Sequence, residues 1–230
     1  TKKGNGTLTL SGQNYYTGST TISGGTLATT TASYANGNYT VADGAGLNLS
    51  VSYLNAQIYP ANVTLGSSTG ASLGFDLAAY GNPQSAPLAV SGNLAVNGTI
   101  TINVADAAPA LGEFPLISFA TKSGSGTFVL GTLPAGVQAS LVPTANGLDL
   151  NITGVALDVW TGAANNNWDI NTSVNWMNAG TSVPLTYQDG DQVRFDDTAT
   201  GSTLVNLTTD VVPGGNVMFN NTTNSYTLAG

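Results

Sequence analysis

The sequence lacks both cysteine and histidine. Without cysteine no disulfide can stabilise the fold, and without either residue a structural zinc site loses its usual ligands. The same absence excludes the Ser-His-Asp and Cys-His arrangements that activate a nucleophile. We therefore expect a non-enzymatic protein with no obligatory cofactor. A polysaccharide-active enzyme stays open only if a groove holds several aspartates beside Arg194.

Charged residues are also scarce. They make up 7% of the chain, against about 25% in an ordinary globular protein. Twelve acidic and four basic residues give a net charge of −8, which is too acidic for a nucleic-acid partner and opposes contact with anionic lipid. No apolar run approaches the length of about 20 residues that spans a bilayer, so we expect no membrane insertion by this segment.

Glycine is abundant, and it punctuates short stretches in which apolar and polar residues alternate. The first such stretch is Thr7–Leu10. Gly6, Gly25 and Gly46 lie 19 and 21 positions apart, which is close to the length of about 20 residues of one turn of a β-solenoid. Similar stretches follow Gly92, Gly98, Gly126 and Gly147, and Ser225–Gly230 has the same pattern.

This pattern predicts an all-β protein. Alternation with period two gives each strand one apolar and one polar face, and glycine supplies the corners between strands. Stacked turns would pair every backbone group with the next turn and bury one apolar column. We therefore predict a parallel β-helix, or β-solenoid. A β-sandwich or jelly roll, which is also built from short strands, is the alternative.

The composition changes near Gly154. All three tryptophans, Trp160, Trp168 and Trp176, follow this point at intervals of eight residues. We therefore divide the chain into a solenoid repeat region, residues 1–154, and a Trp- and Asp-rich β region, residues 155–230. The second region is either a cap or a continuation of the solenoid.

Residues 4–28 read GNGTLTLSGQNYYTGSTTISGGTLA. They resemble the autotransporter-associated β-strand repeat, also called the passenger-associated transport repeat, of large exported bacterial proteins. The positions that match its usual form are Gly4, Gly6–Gly12, Asn14, Tyr16, Thr17, Gly18, Thr20, Ile22 and Gly25–Leu27. The resemblance implies an extracellular or cell-surface β-helical protein, one unit of a tandem array, with no catalytic residues to carry over.

Two groups of side chains could bind a ligand. Asp189, Asp191, Asp196 and Asp197 could supply oxygen ligands to Ca²⁺, although Asp-Gly is also a turn signal and Arg194 could pair with one of them. The tryptophans Trp160, Trp168 and Trp176 could stack on sugar rings, although such clusters are more often core. Solvent exposure of all three indoles decides whether the tryptophans form a sugar platform or a core.

A solenoid presents unpaired strand edges at its two ends, and such edges pair with another copy unless a cap covers them. Neither end of the sequence shows a recognisable capping segment. The predicted contact residues are Thr7, Leu8, Thr9 and Leu10 at one end and Tyr226, Thr227 and Leu228 at the other.

Pairing of these two ends is heterologous and does not close, so it builds a fibre. We therefore predict a structural unit of an extracellular fibre or array. Its partners are copies of itself or adjacent repeat units, arranged head to tail. The alternative function is an adhesin or carbohydrate-binding module with a surface polysaccharide as its partner.

Overall fold

The computed structural model describes residues 1–34, 36–78, 80, 82–105, 110–134, 137–214 and 217–230. In these ranges the chain forms strands and no helix, which confirms the all-β prediction. It follows that the described residues contain no helix that is long and apolar enough to cross a membrane. The chain divides into two compact units. The first takes most of Thr1–Thr153, and the second is mainly Gly154–Gly230.

The described residues form twenty-one strands. The first thirteen are β1 (Thr7–Leu10), β2 (Thr20–Ile22), β3 (Thr26–Thr30), β4 (Tyr39–Val41), β5 (Gly46–Ser50), β6 (Val63–Leu65), β7 (Ser72–Asp76), β8 (Leu88–Val96), β9 (Thr99–Ala105), β10 (Gly112–Ser123), β11 (Thr127–Leu130), β12 (Val137–Thr144) and β13 (Gly147–Val155). The others are β14 (Leu157–Trp160), β15 (Asn167–Trp168), β16 (Trp176–Asn178), β17 (Pro184–Leu185), β18 (Gln192–Asp196), β19 (Leu204–Leu207), β20 (Val217–Asn220) and β21 (Thr227–Ala229).

The chain of the first unit alternates between two sheets. Odd-numbered strands form one parallel sheet in the order β1-β3-β5-β7-β9-β11. Even-numbered strands from β2 to β10 form a second parallel sheet. We call one passage through both sheets a rung. This order is consistent with the predicted β-helix and does not fit the mainly antiparallel pairing of the sandwich alternative.

Apolar residues in register make the core of the first unit. Ile22, Val41, Leu65 and Val96 are paired across β2, β4, β6 and β8, and all four are fully buried. Because side chains alternate between the two faces of a strand, every second residue joins such a column. The sheets thus bury the continuous apolar stack that the alternating sequence predicts.

Glycine forms the tight corner between β2 and β3. Gly25 has φ +60°, and a methyl group at its Cα would overlap the carbonyl oxygen of Gly6 on the rung below. Only glycine combines the left-handed backbone with this close approach.

The second unit repeats the plan on a smaller scale. β14, β18 and β20 are parallel in one sheet, and β15, β19 and β21 are parallel in the other. Three rungs result.

Antiparallel strands close one side of each unit. β13 pairs antiparallel with β10 in the first unit, and β12 lies beyond it. In the second unit β16 pairs antiparallel with β14, and β17 with β16. These strands act as caps because they occupy the edge on which another parallel rung would stack.

Candidate functional site

The strand β1 is a free edge of the first unit, since among the described residues it pairs only with β3. The backbone nitrogen of Thr26 donates to the carbonyl oxygen of Gly6. Successive residues of a strand direct their backbone N–H and C=O groups to opposite sides. The backbone groups of Leu8 therefore point toward β3, whereas those of Thr7 and Thr9 point away from it. The backbone groups of Thr7 and Thr9 are therefore oriented to pair with a further strand.

An apolar column ends at this edge. Leu8 is in register with Leu27, and Leu27 with Leu47 and Leu73 in turn. The inner three leucines are buried, but Leu8 is 43% exposed. Another strand on β1 would cover Leu8 as β1 covers Leu27.

Lys2 orders the turn that leads into β1. It forms an isolated parallel bridge with Ile22, and its Nζ donates to the carbonyl oxygens of Gly4 at 2.6 Å and Gly24 at 2.8 Å. Charge-assisted hydrogen bonds of this length are strong. The first rung is thus ordered in both sheets, although nothing in the described residues stacks on its outer side.

The strand β21 is the corresponding free edge of the second unit. The backbone nitrogen of Thr227 donates to the carbonyl oxygen of Thr203 at 3.1 Å. The backbone groups of Thr227 therefore point toward β19, and those of Leu228 point away from it. The Leu228 side chain is in register with the buried Val205 and is itself 42% exposed.

The neighbouring strand β20 is exposed along its whole length. Phe219 is 52% exposed, and its ring stacks on that of the buried Phe195 with centroids 5.0 Å apart. The last rung of the second unit is therefore open in both sheets within the described residues, as the first rung of the first unit is.

Asp197 fixes the turn between β20 and β21. Its carboxylate accepts the backbone N–H groups of Thr222, Thr223 and Asn224 at 2.8, 2.9 and 2.8 Å. These hydrogen bonds favour the ionised form and hold the pKa of Asp197 well below its usual range. Asp43 does the same in the first unit with the amides of Ser67 to Gly70, and its pKa is likewise lowered.

The remaining aspartates of the predicted calcium cluster have separate partners. Asp196 forms an ion pair with Arg194 at 2.8 Å. Asp189 accepts the backbone N–H of Val212, and Asp191 that of Gln188. Across the described parts of the chain, acidic side chains never gather in a group of three or more that could hold a metal ion. The structure therefore does not bring Asp189, Asp191, Asp196 and Asp197 together as one ligand set.

The three tryptophans form a core and offer no face to a sugar. Trp160, Trp168 and Trp176 are each at most 1% exposed and pack with Tyr187 and Phe195. Neighbouring indoles meet edge to face, with centroids 5.0 and 5.1 Å apart. The predicted tryptophan platform is thus wrong, because all three indoles are buried in the core of the second unit.

Exposed tyrosines, which the sequence analysis passed over, lie on the first unit. Tyr34, Tyr53 and Tyr59 line a cavity of about 230 Å³. The sequence does contain a pattern that could have found them. Tyr15, Tyr34 and Tyr53 lie 19 residues apart, which is the length of one early rung, so they recur at the same place on successive rungs.

These features define a class of protein, the parallel, all-β repeat protein with a whole open rung on each of its two units. The first 28 residues identify the repeat. Residues 1–28 match the model of the passenger-associated transport repeat, which confirms the resemblance over that segment. Comparisons with curated proteins and with solved structures found no significant match.

Proposed function

We propose that the chain is a non-enzymatic structural unit of an exported bacterial surface fibre or array, and that each of its units is a β-solenoid. In this proposal the open rung at β1 pairs with the open rung at β20 and β21 of a neighbour. The neighbour is another copy of the chain or an adjacent repeat unit.

The observation that carries the proposal is the pair of uncovered apolar columns. Leu8 and Leu228 each end a buried column and are each about two-fifths exposed. Each also lies in an edge strand with outward-facing backbone groups, which is the arrangement that recruits another strand. Burial of these leucines and of Phe219 would stabilise the contact by about 25 cal/mol per Å² of apolar surface.

Strand direction supports a head-to-tail contact. β1 is parallel to β3, and β19 is parallel to β21. A parallel contact between β21 and β1 therefore continues the stacking found inside each unit, and it leaves the same two edges free for further copies. A contact of this kind does not close on itself.

The repeat supports a surface location. Passenger-associated transport repeats belong to autotransporter passenger domains, which are exported to the cell surface. A surface with many hydroxyl and amide groups stays hydrated with few charged residues, as is expected of an extracellular repeat protein.

Proline substitutions test the direction of assembly. Thr9→Pro removes an N–H that faces away from β3, and Leu228→Pro removes one that faces away from β19, so neither substitution breaks an internal ladder bond. We expect the native protein to form concentration-dependent oligomers in sedimentation velocity experiments. Each variant alone should remain monomeric, because every head-to-tail contact needs both edges.

A mixture of the two variants provides the control. Thr9→Pro keeps an intact β21 and Leu228→Pro keeps an intact β1, so an equimolar mixture should form dimers and nothing larger. Circular dichroism spectra should show native strand content in both variants. A native protein that is monomeric at every concentration, or variants that still oligomerise alone, would contradict the proposal.

A further inference from the structure

We propose that the cavity beside Tyr34, Tyr53 and Tyr59 is a binding site for a neutral oligosaccharide. This inference goes beyond the structural function proposed above and does not depend on it. Three successive rungs of the first unit contribute to the site: Gln13 from the first, Thr31, Ser33 and Tyr34 from the second, and Tyr53, Gln57 and Tyr59 from the segment after β5.

The walls of this tyrosine cleft are aromatic and exposed. Tyr34 is 62% exposed and Tyr53 and Tyr59 are each 58% exposed, although aromatic side chains of this size are usually largely buried. Tyr15 stacks on Tyr34 with ring centroids 5.2 Å apart and planes 7° apart, which extends the aromatic surface beyond the cavity. Flat, rigid and amphipathic tyrosine rings give a large contact area for the loss of few side-chain rotamers.

Hydrogen bonds hold two of these tyrosines in place. The Tyr15 hydroxyl donates to Oε1 of Gln13, and the Tyr59 hydroxyl donates to Oε1 of Gln57 at 2.7 Å. Gln57 is itself anchored, since its Nε2 donates to the carbonyl oxygen of Ala86 at 2.8 Å. The rings of Tyr15 and Tyr59 are therefore oriented before a ligand arrives, which lowers the entropic cost of binding.

The floor of the cleft is polar. Thr31 and Ser33 are buried at its base, with 3% and 6% of their surface exposed. The Thr31 hydroxyl oxygen accepts the backbone N–H of Ser52 at 2.9 Å, and its O–H can still donate. A sugar hydroxyl is both a donor and an acceptor, so it can bond such groups while the apolar face of its ring covers a tyrosine.

Charge decides the class of sugar. Residues 4–42 and 44–75, which supply every lining residue, contain no charged side chain. An acidic glycan would find no cationic partner here, and the net charge of −8 would repel it. The site therefore favours a neutral glycan over a uronate, sulfate or phosphate ligand.

A proline-rich peptide is the other ligand that docks on aromatic-lined grooves. Its prolines have no backbone donors, so it matches the mixed donors and acceptors of the floor less well than a sugar does. The cavity holds about 230 Å³, which is below the range of about 300–1,000 Å³ for a drug-sized ligand. One sugar ring would occupy it, and adjacent rings would lie over Tyr15 and Tyr59.

The experiment is a binding titration of the 230-residue chain by isothermal calorimetry. The probes are neutral hexasaccharides of glucose, mannose and N-acetylglucosamine, together with polygalacturonate and a proline decapeptide. We expect at least one neutral probe to bind with a Kd of about 1 mM or tighter. Tyr53→Ala should weaken that binding by about tenfold, or about 1.4 kcal/mol, whereas Tyr53→Phe, which keeps the ring, should change it by less than about threefold.

Tyr80→Ala is the matched control. Tyr80 is also exposed and its hydroxyl makes one hydrogen bond, to the Ser52 carbonyl oxygen, but it does not line the cleft. Its replacement should leave the Kd unchanged. The proposal is overturned if no neutral probe binds, if only polygalacturonate or the peptide binds, or if Tyr80→Ala weakens binding as much as Tyr53→Ala does.

Discussion

Two buried polar side chains of the second unit, Asn175 and Asp158, have opposite effects on stability because their hydrogen-bond partners differ. Asn175 is fully buried and uses its whole amide. Its Oδ1 accepts the N–H groups of Ala164 and Asn165, and its Nδ2 donates to Oδ1 of Asn165 and to the carbonyl oxygen of Asn167. Asp158 is 1% exposed, no N–H or hydroxyl donor among the described residues reaches its carboxylate oxygens, and its acidic neighbour is Asp191. The first residue stabilises the fold, whereas the second destabilises it when ionised.

Asn175→Ala should destabilise the second unit by about 2 kcal/mol or more, because it removes the four hydrogen bonds of a fully buried amide, and a hydrogen bond contributes about 0.5–1.5 kcal/mol. Tryptophan fluorescence during urea unfolding measures this directly, since all three tryptophans lie in the core of that unit. Asn166→Ala is the control, because the Asn166 side chain makes no hydrogen bond within the described structure. Equal losses in the two variants would contradict the assignment.

Asp158 predicts an unusual pH dependence. Burial, and secondly the nearby Asp191 carboxylate, raise the pKa of Asp158 from 3.8 to about 8. Between about pH 4 and pH 8 the folded state keeps a proton that the unfolded state has lost, so stability falls as pH rises, by at most about 1.4 kcal/mol per pH unit. Asp158→Asn should remove this slope and make the second unit more stable at pH 8. Thermal midpoints followed by tryptophan fluorescence from pH 4.5 to pH 8 check it, and identical slopes in the two proteins would sink the prediction.

Asp43 and Asp197 act in the opposite sense. Because their pKa values are lowered in the folded state, their contribution to stability is present above about pH 4 and is lost as the pH falls below it. Below about pH 4, protonation of these two carboxylates should therefore destabilise the turns that they hold.

At the scale of elements, the sequence predicts the early rungs well because they are short and regular. The register joins Thr7 to Thr26 and Thr26 to Gly46, steps of 19 and 20 residues that are close to the glycine spacings of 19 and 21. The next steps, from Gly46 to Ser72 and from Ser72 to Thr101, are 26 and 29 residues long. The repeat fades from the sequence there because the added residues lie in loops between strands, where no alternation is required.

Other elements were beyond the reach of pattern analysis. Alternation with period two fixes which face of a strand is buried, but it does not fix the direction of the neighbouring strand. β13 begins at Gly147 as the glycine pattern predicts, yet nothing in that pattern shows that it pairs antiparallel with β10. The caps were missed for this reason. The pattern also could not predict whether Trp160, Trp168 and Trp176 are buried. Tryptophans at this spacing can form either a core or an exposed platform.

At the scale of the whole molecule, closed and open edges have complementary roles. β13 and β16 cover β10 and β14, so a further rung cannot stack on both sheets at those places. β11 is also an edge strand in the described structure, but β10, the other strand of the same rung, is covered by β13. Complete open rungs occur at β1 and at β20 with β21. Within the described residues these are the rungs that are open in both sheets, so an array joined through them would have a direction.

Disulfide trapping between Thr7→Cys and Thr227→Cys variants tests this end-to-end contact most directly, because the chain has no cysteine of its own. If Leu8 of one copy stacks over Leu228 of the next, Thr7 lies opposite Thr227, at a spacing of about 4.8 Å between strands. We predict that a mixture of the two variants forms a disulfide-linked dimer under mild oxidation. A Thr40→Cys variant, whose cysteine is exposed on the interior strand β4, should form no such dimer with Thr227→Cys. Equal crosslinking at Thr40 and Thr7, or none at Thr7, would contradict the account.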